Sequence, residues 1–283
     1  MCMRSFCWSN PANKNLRERV WFVRWIVEGY TVRQLAKQSG HSRGKIQQII
    51  QYWLTQEPPQ GFIPHQYLVM DGSFLERRMY SVFAVMNGDH RIVDGKYQIR
   101  EEYRQLTHYF QYLESAGLCP TSATVDGNPA ITRALRGVWP KIIIQRCLVH
   151  VQRQGLQWCR RNPKRTDAKK LRQLLLCLTG IHTISQRNIF LRQLQDWERR
   201  YGLKLACLPP KGWVLTDVQR ARSMVIHALP QLFPYLQDNR IPRTTNSIEG
   251  YFSRLKLRYR QHRGLSRQRR AQYFKWYFHL VQR

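Results

Sequence analysis

The stretch 67–99, YLVMDGSFLERRMYSVFAVMNGDHRIVDGKYQI, decides the fold. Tyr67-Leu68-Val69-Met70 is a short apolar run ending in Asp71-Gly72. Residues 79–85 are rich in strand formers, Asn87-Gly88 is a strong hairpin-turn pair, and residues 92–99 supply a third extended segment. Together they predict an antiparallel meander. Beyond it, 101–116 has helical spacing, with Tyr103, Leu106, Tyr109, Phe110 and Leu113 on one side. Residues 121–125 predict a strand that again ends in Asp-Gly, at Asp126-Gly127. A short helix over 129–138 follows, then a buried strand over 141–146 with three consecutive isoleucines. The fold class is therefore α/β with a mixed sheet, one topology among several that fit this order.

Upstream, Val20, Val23, Ile26 and Val27 recur at helical spacing until Gly29 stops the run. Thr31 is a cap for a second helix and Ser42 for a third, whose buried stripe is Ile46, Ile49, Ile50 and Trp53. Two short helices joined by a tight turn at Ser39-Gly40-His41 fit a helix-turn-helix. Arg43, Lys45, Gln47 and Gln48 are the exposed positions early in the third helix, and Arg and Gln pair bidentately with guanine and adenine edges. A small bundle packed on its own protein is the competing reading. Glu57-Pro58-Pro59-Gln60-Gly61 reads as a linker.

Downstream, helices are expected over 149–161, 168–178, 187–201 and 218–229, read as an insertion before the core's last element. That element is IPRTTNSIEGYFSRLKLRYRQH, residues 241–262. Asn246 and Glu249 have capping-box spacing, and Ile248, Phe252, Leu255 and Tyr259 form an apolar stripe. Arg254, Lys256, Arg258 and Arg260 crowd the same stretch and Arg263 follows it, a phosphate-contacting composition. The aromatic run Tyr273, Phe274, Trp276, Tyr277 and Phe278 reads as a helix docked on the core.

The chain has 283 residues, 43% hydrophobic and 12% aromatic, enough for a packed core and about two domains. Lys and Arg number 47 against 17 acids, a formal charge of +30. Such self-repulsion points to a polyanionic partner, double-stranded DNA before a membrane, since no segment approaches the ~18 apolar residues of a spanning helix. Seven scattered cysteines read as reduced thiols, and the first residues show no export signal, so a cytoplasmic, nucleoid-associated protein is expected. Cys2 and Cys7 read as ordinary cysteines, with half of a shortened zinc ribbon as the open alternative.

Against this charge, three acids stand out: Asp71 and Asp126, 126 − 71 = 55 residues apart, and Glu249, another 249 − 126 = 123 on. Parallel neighbouring strands bring two strand-end acids together, and a helix over the sheet adds a third. Convergent carboxylates repel unless divalent cations neutralise them, and oxygen-only ligands suit Mg²⁺ or Mn²⁺. A pair of such ions about 3.5–4 Å apart supports in-line phosphodiester displacement. Each Asp-Gly also has a plain reading as a turn.

The motifs Leu68-Val69-Met70-Asp71-Gly72-Ser73, Ala123-Thr124-Val125-Asp126-Gly127-Asn128, Cys147-Leu148-Val149-His150 and Thr244-Thr245-Asn246-Ser247-Ile248-Glu249-Gly250 resemble those of DDE transposases. The nearest group is the mutator-type bacterial insertion-sequence enzymes. The resemblance implies an RNase H-like core with a helical insertion, preceded by a helix-turn-helix. It implies Asp71, Asp126 and Glu249 as the catalytic, metal-binding triad for two Mg²⁺ or Mn²⁺ ions, with Cys147 and His150 as the family's Cys-x2-His signature. It also implies DNA strand cleavage at transposon ends, strand transfer into target DNA, and a homodimer or higher homo-oligomer. The implied organisation is a short segment 1–14, a helix-turn-helix domain 15–56, a linker 57–66, the first part of the core 67–147, the insertion 148–240, and the Glu helix with the basic region 241–283. A catalytically inactive or domesticated DNA-binding derivative, or an RNase H-like nuclease, are the rival functions.

Overall fold

A computed structural model describes residues 11–59, 61, 63–76, 80–209, 212–262 and 264–281. Cys2, Cys7 and Arg263 lie outside the described residues, as do residues 1–10 of the N-terminal segment 1–14.

Strands β1 (Tyr67–Glu76), β2 (Tyr80–Asn87), β3 (Ile92–Tyr97), β4 (Ser122–Val125) and β5 (Ile143–Arg146) form one mixed sheet in the order β3-β2-β1-β4-β5. The meander is antiparallel, while β4 and β5 run parallel to β1. One expectation needs correction: β1 does not end at Asp71. It pairs with β4 only through Tyr67↔Ser122, Leu68↔Ala123 and Val69↔Thr124, but β2 stays paired further, at Asp71↔Ala84 and Ser73↔Val82. The hairpin partner therefore keeps β1 extended after its parallel neighbour has left.

Period-two alternation sends the two faces of the sheet to different partners. Leu68, Met70, Phe83 and Val85 pack under α4 (Tyr103–Ser115) and α5 (Pro129–Val138). Val69, Val82, Ala84 and Met86 face α11 (Asn246–Tyr259) and α12 (Arg267–Val281). Among the sheet and its covering helices, two side chains depart from the expected buried sets. Tyr103 is 38% exposed beneath the Arg133 guanidinium, and Ile143 is 40% exposed because β5 is an edge strand.

The N-terminal helices are α1 (Pro11–Val23), continued by a π-helical turn over Arg24–Glu28, then α2 (Val32–Ser39) and α3 (Arg43–Leu54). Gly29 ends the first run in the left-handed region, at φ 74°. Thr31 and Gln34 form a reciprocal capping box, and the Ser42 hydroxyl accepts from the Lys45 N–H. The buried stripe of the first run is Phe22, Trp25 and Ile26, and Val20 is 50% exposed. The aromatic positions win because they meet a flat partner: Phe22 packs edge-on to Trp276 of α12 at 5.2 Å. Trp276 Nε1 donates to Gln56 O at 3.0 Å, and Lys275 pairs with Glu57 at 2.9 Å. The N-terminal helices thus share one core with α11, α12 and the sheet.

A second helical layer has its own core: α6 (Leu148–Cys159), α7 (Thr166–Cys177), α8 (Ile184–Trp197), α9 (Leu203–Cys207) and α10 (Gly212–Ala228). Buried Gln145 of β5 joins it to the sheet, donating to Leu232 O at 3.0 Å and accepting from the Tyr235 N–H at 3.3 Å. The chain then returns along the sheet: Thr124 Oγ1 donates to Pro242 O, and the Leu148 N–H donates to Arg243 O at 3.1 Å. These two bonds fix the start of α11 beside the ends of β4 and β5. Among the described residues no helix is long and apolar enough to cross a membrane.

Candidate active site

Asp71 and Asp126 are brought together by sheet register. Every β1–β4 pair is offset by 55 residues, as in Val69↔Thr124, which is the separation of the two acids. Asp71 lies two residues past the last pair, and Asp126 directly follows β4. Each carboxylate is oriented by a backbone N–H close to it in sequence, Gly72 within β1 and Asn128 after β4. The Gly72 N–H donates to Asp71 Oδ1 at 2.8 Å, and the Asn128 N–H donates to Asp126 Oδ1 at 2.8 Å. Burial, reinforced by the Asp126 charge, pushes the Asp71 carboxyl up to about 7, against the Gly72 hydrogen bond and the nearby His150.

Gly127 belongs to this corner for a steric reason. Its φ is 94°, and any side chain there would collide with the Arg146 guanidinium. That guanidinium donates to Gly127 O at 2.9 Å and lies near the Asp126 charge, although burial holds its pKa below the usual value.

Glu249 occupies the first turn of α11, but the capping box expected for it does not form. The N-cap is Thr245, and Asn246 is already helical, so the N3 position falls on Ile248, which cannot complete a box. The Thr245 hydroxyl is buried and used elsewhere, 3.4 Å from Cys147 Sγ and 3.2 Å from His150 Nδ1. The Glu249 carboxylate is thereby left to α6. His150 Nε2 is 3.4 Å from Oε1 and Arg153 is 3.6 Å from Oε2. Oε1 is buried and accepts no hydrogen bond.

Cys147 and His150 therefore form the link between the two halves of the site. Burial pushes the Cys147 thiol up, but hydrogen bonds with His150 and Thr245 outweigh it and hold the thiol below its ordinary value. The Cys147 hydrogen bond raises the His150 imidazole, helped by the Asp71 and Glu249 charges and opposed by burial. His150 is within electrostatic reach of both acids. Among the described residues no three His, Cys, Asp or Glu side chains are close enough together to hold one ion. The arrangement is a carboxylate pair on the sheet, with Glu249 held by His150 and Arg153 of α6. Its donor chemistry suits a hard divalent cation. The adjacent aspartates offer only oxygen, their repulsion calls for positive charge, and Glu249 Oε1 lacks a donor.

Sequence reading missed Glu101, which precedes α4. Its Oε2 accepts from Asn128 Nδ2 at 2.8 Å, and its carboxylate lies over Gly72, where a side chain would collide with it. Burial chiefly raises its pKa, with the Asp126 charge adding to it against the Asn128 hydrogen bond. No local pattern announces it, because its place comes from the β3–α4 connection crossing both Asp-Gly corners.

On the expected DNA face, Arg43, Gln47 and Gln48 are exposed on α3, while Lys45 is half-buried against Glu18 at 2.9 Å. Arg254 of α11 and Arg260, just past its end, are exposed, and Lys256 is half-buried. Arg258 is a correction: it turns inward, donating to the Tyr277 hydroxyl at 3.3 Å and packing over Gly29. The glycine admits this approach, since a Cβ there would come 3.2 Å from the Arg258 Cα. Arg240 and Arg243, which the composition did not single out, line an open groove with Asn246, Ser247 and Arg254 at the start of α11.

Residues 71–265 match the model of a family described as "Transposase, Mutator family". The match covers more than half of the 283 residues and contains Asp71, Asp126, Cys147, His150 and Glu249. A search of curated proteins finds no match.

Proposed function

The chain belongs to the Mutator family of transposases, and from that premise we propose that it cuts DNA at transposon ends and transfers the freed 3′ ends into target DNA, using Asp71, Asp126 and Glu249 as a DDE triad. The observation that carries this reading is the shared 55-residue offset of β1–β4 and of the two aspartates. The groove lined by Arg240, Arg243 and Arg254 also takes in Asn246, Ser247 and Gly250 of α11, the element that carries Glu249.

The strand order β3-β2-β1-β4-β5, antiparallel then parallel, supports an RNase H-like core with 148–240 as its insertion. The capped pair α2 and α3, turned at Gly40, supports a helix-turn-helix that offers Arg43, Gln47 and Gln48 to base edges. Two Mg²⁺ or Mn²⁺ ions are the cofactor that the oxygen donors suit, and when bound they supply charge neutralisation and activation of oxygen for in-line displacement at phosphorus. Asp71 and Asp126 would hold them from the sheet, with Glu249 as the third ligand. His150 and Arg153 keep Glu249 charge-balanced before DNA and metal engage it. Arg254 and Lys256 on α11, with Arg260 in the turn that follows it, neutralise the DNA backbone beside Glu249. Cleavage at two ends is served by a homodimer or larger homo-oligomer on DNA, in a cytoplasmic, nucleoid-associated setting.

Labelled end DNA incubated with Mg²⁺ tests the proposal. Asp71→Asn, Asp126→Asn and Glu249→Gln are expected to bind that DNA as the wild type does and to cut it not at all. Pre-cut 3′-OH ends should be joined to plasmid by the wild type. Wild-type cutting by the Glu249 variant would remove Glu249 from the triad. Cutting without joining would make the protein a nuclease, and neither activity in the wild type an inactive derivative.

A further inference from the structure

The carboxylate pair has a close acidic neighbour. Glu101 reaches the groups that orient each aspartate. Its Oε2 accepts from the side chain of Asn128, whose backbone N–H holds Asp126, and its carboxylate rests on Gly72, whose backbone N–H holds Asp71. The Asn128 side chain is fully committed there, since its Oδ1 also caps α5 by accepting from the Ala130 N–H at 2.9 Å. Asn128 needs only an acceptor from residue 101, and a glutamine oxygen would supply one. What a glutamate adds is a third carboxylate at a corner where the Arg146 guanidinium, bonded to Gly127 O and near Asp126, is the neighbouring cation, so full ionisation of all three acids calls for further positive charge. Gly72 adds to the point: with no side chain it leaves room for the Glu101 carboxylate at this corner.

We propose that Glu101 is a positioning residue of the metal site, a fourth acid that ties the two Asp-Gly corners together and adds its charge to the seat for a divalent cation. The inference rests on the reading of Asp71 and Asp126 as metal ligands. Its role differs from theirs: it acts through Gly72 and Asn128 and through charge.

The test measures Mn²⁺ binding to the full chain without DNA, by the loss of the free-ion paramagnetic resonance signal, for wild type, Glu101→Gln and Asp71→Asn. Circular dichroism checks that each is folded. Glutamine is isosteric and keeps the Asn128 hydrogen bond, so a merely structural role leaves its Mn²⁺ affinity unchanged. The expected result is about 10-fold weaker Mn²⁺ binding by Glu101→Gln, with a larger loss in Asp71→Asn. Wild-type affinity in Glu101→Gln beside a clear loss in Asp71→Asn overturns the role of Glu101 alone. Wild-type affinity in both overturns the metal reading of the aspartates and this inference with it.

Discussion

Asp71 ionises near pH 7 in the folded chain because it is buried beside Asp126, whereas its ordinary value is 3.8. Between those two values the native state binds a proton that the unfolded state has released. Stability contributed by this group is therefore greatest below about pH 4, declines as pH rises, and levels off above about pH 7. Asp71→Asn removes the titration. In metal-free protein the variant should melt at about the wild-type temperature at pH 4, and higher than wild type at pH 8 by at least ~2 °C. Differential scanning fluorimetry at the two pH values reads this, and equal melting points at pH 8 would refute it. The same proton competes with cation, so Mg²⁺-dependent cleavage at a fixed, subsaturating concentration should climb through pH 7.

At the scale of elements, the start of α11 is held by contacts that its own sequence does not display. Thr245 gives up a capping role and spends its hydroxyl on Cys147 and His150, the pair that opens α6. The helix carrying Glu249 is thus pinned to the helix carrying His150 and Arg153. Thr245→Val keeps the shape and removes the hydroxyl. It should lower stability by about 1 kcal/mol in urea denaturation and slow end cleavage about 10-fold, with end-DNA affinity unchanged. A stability loss without any slowing would mean that the contact only packs the two helices. The cations of α11 and of the turn that follows it have a separate readout. Replacing Arg254, Lys256 and Arg260 by Ala should flatten the plot of log affinity against log salt by about 0.9 per side chain removed. Arg258→Ala should leave that slope unchanged, because its guanidinium faces Tyr277.

For the molecule as a whole, the aromatic layer sets the cooperativity. Phe22, Trp25, Trp276, Tyr273 and Phe274 belong to one core that also takes in the sheet face of Val69, Val82 and Ala84. A helical N-terminal unit on a free linker would melt by itself. The shared core predicts one calorimetric transition covering α1 to α3, the sheet, α11 and α12. A chain starting at residue 57 should bind a hydrophobic dye and lose near-ultraviolet dichroism, since removal of α1 to α3 uncovers Phe22's partners on α12. A folded, soluble fragment with native dichroism would argue for independent units.

Much of this was legible in the chain itself because the relevant physics is local. Alternation and turn residues wrote the meander over 67–99, and the caps at Thr31 and Ser42 fell where hydroxyl residues precede helical periodicity. The three acids stood out because a chain of +30 has few of them. Non-local packing decided the rest. Asp71 was expected at a strand end, but β2 pairing carries the strand past it to Glu76. Glu249 was expected in a capping box, but burial of Thr245 against Cys147 shifts the cap and leaves the carboxylate to α6. Glu101 has no signature at all, since only the crossing of two corners 55 residues apart gives it neighbours. The sequence by itself determined most of the elements, because spacing and side-chain type act within a few residues. The tertiary structure alone decided which acids stand together, because sheet register and burial join segments that the chain keeps far apart.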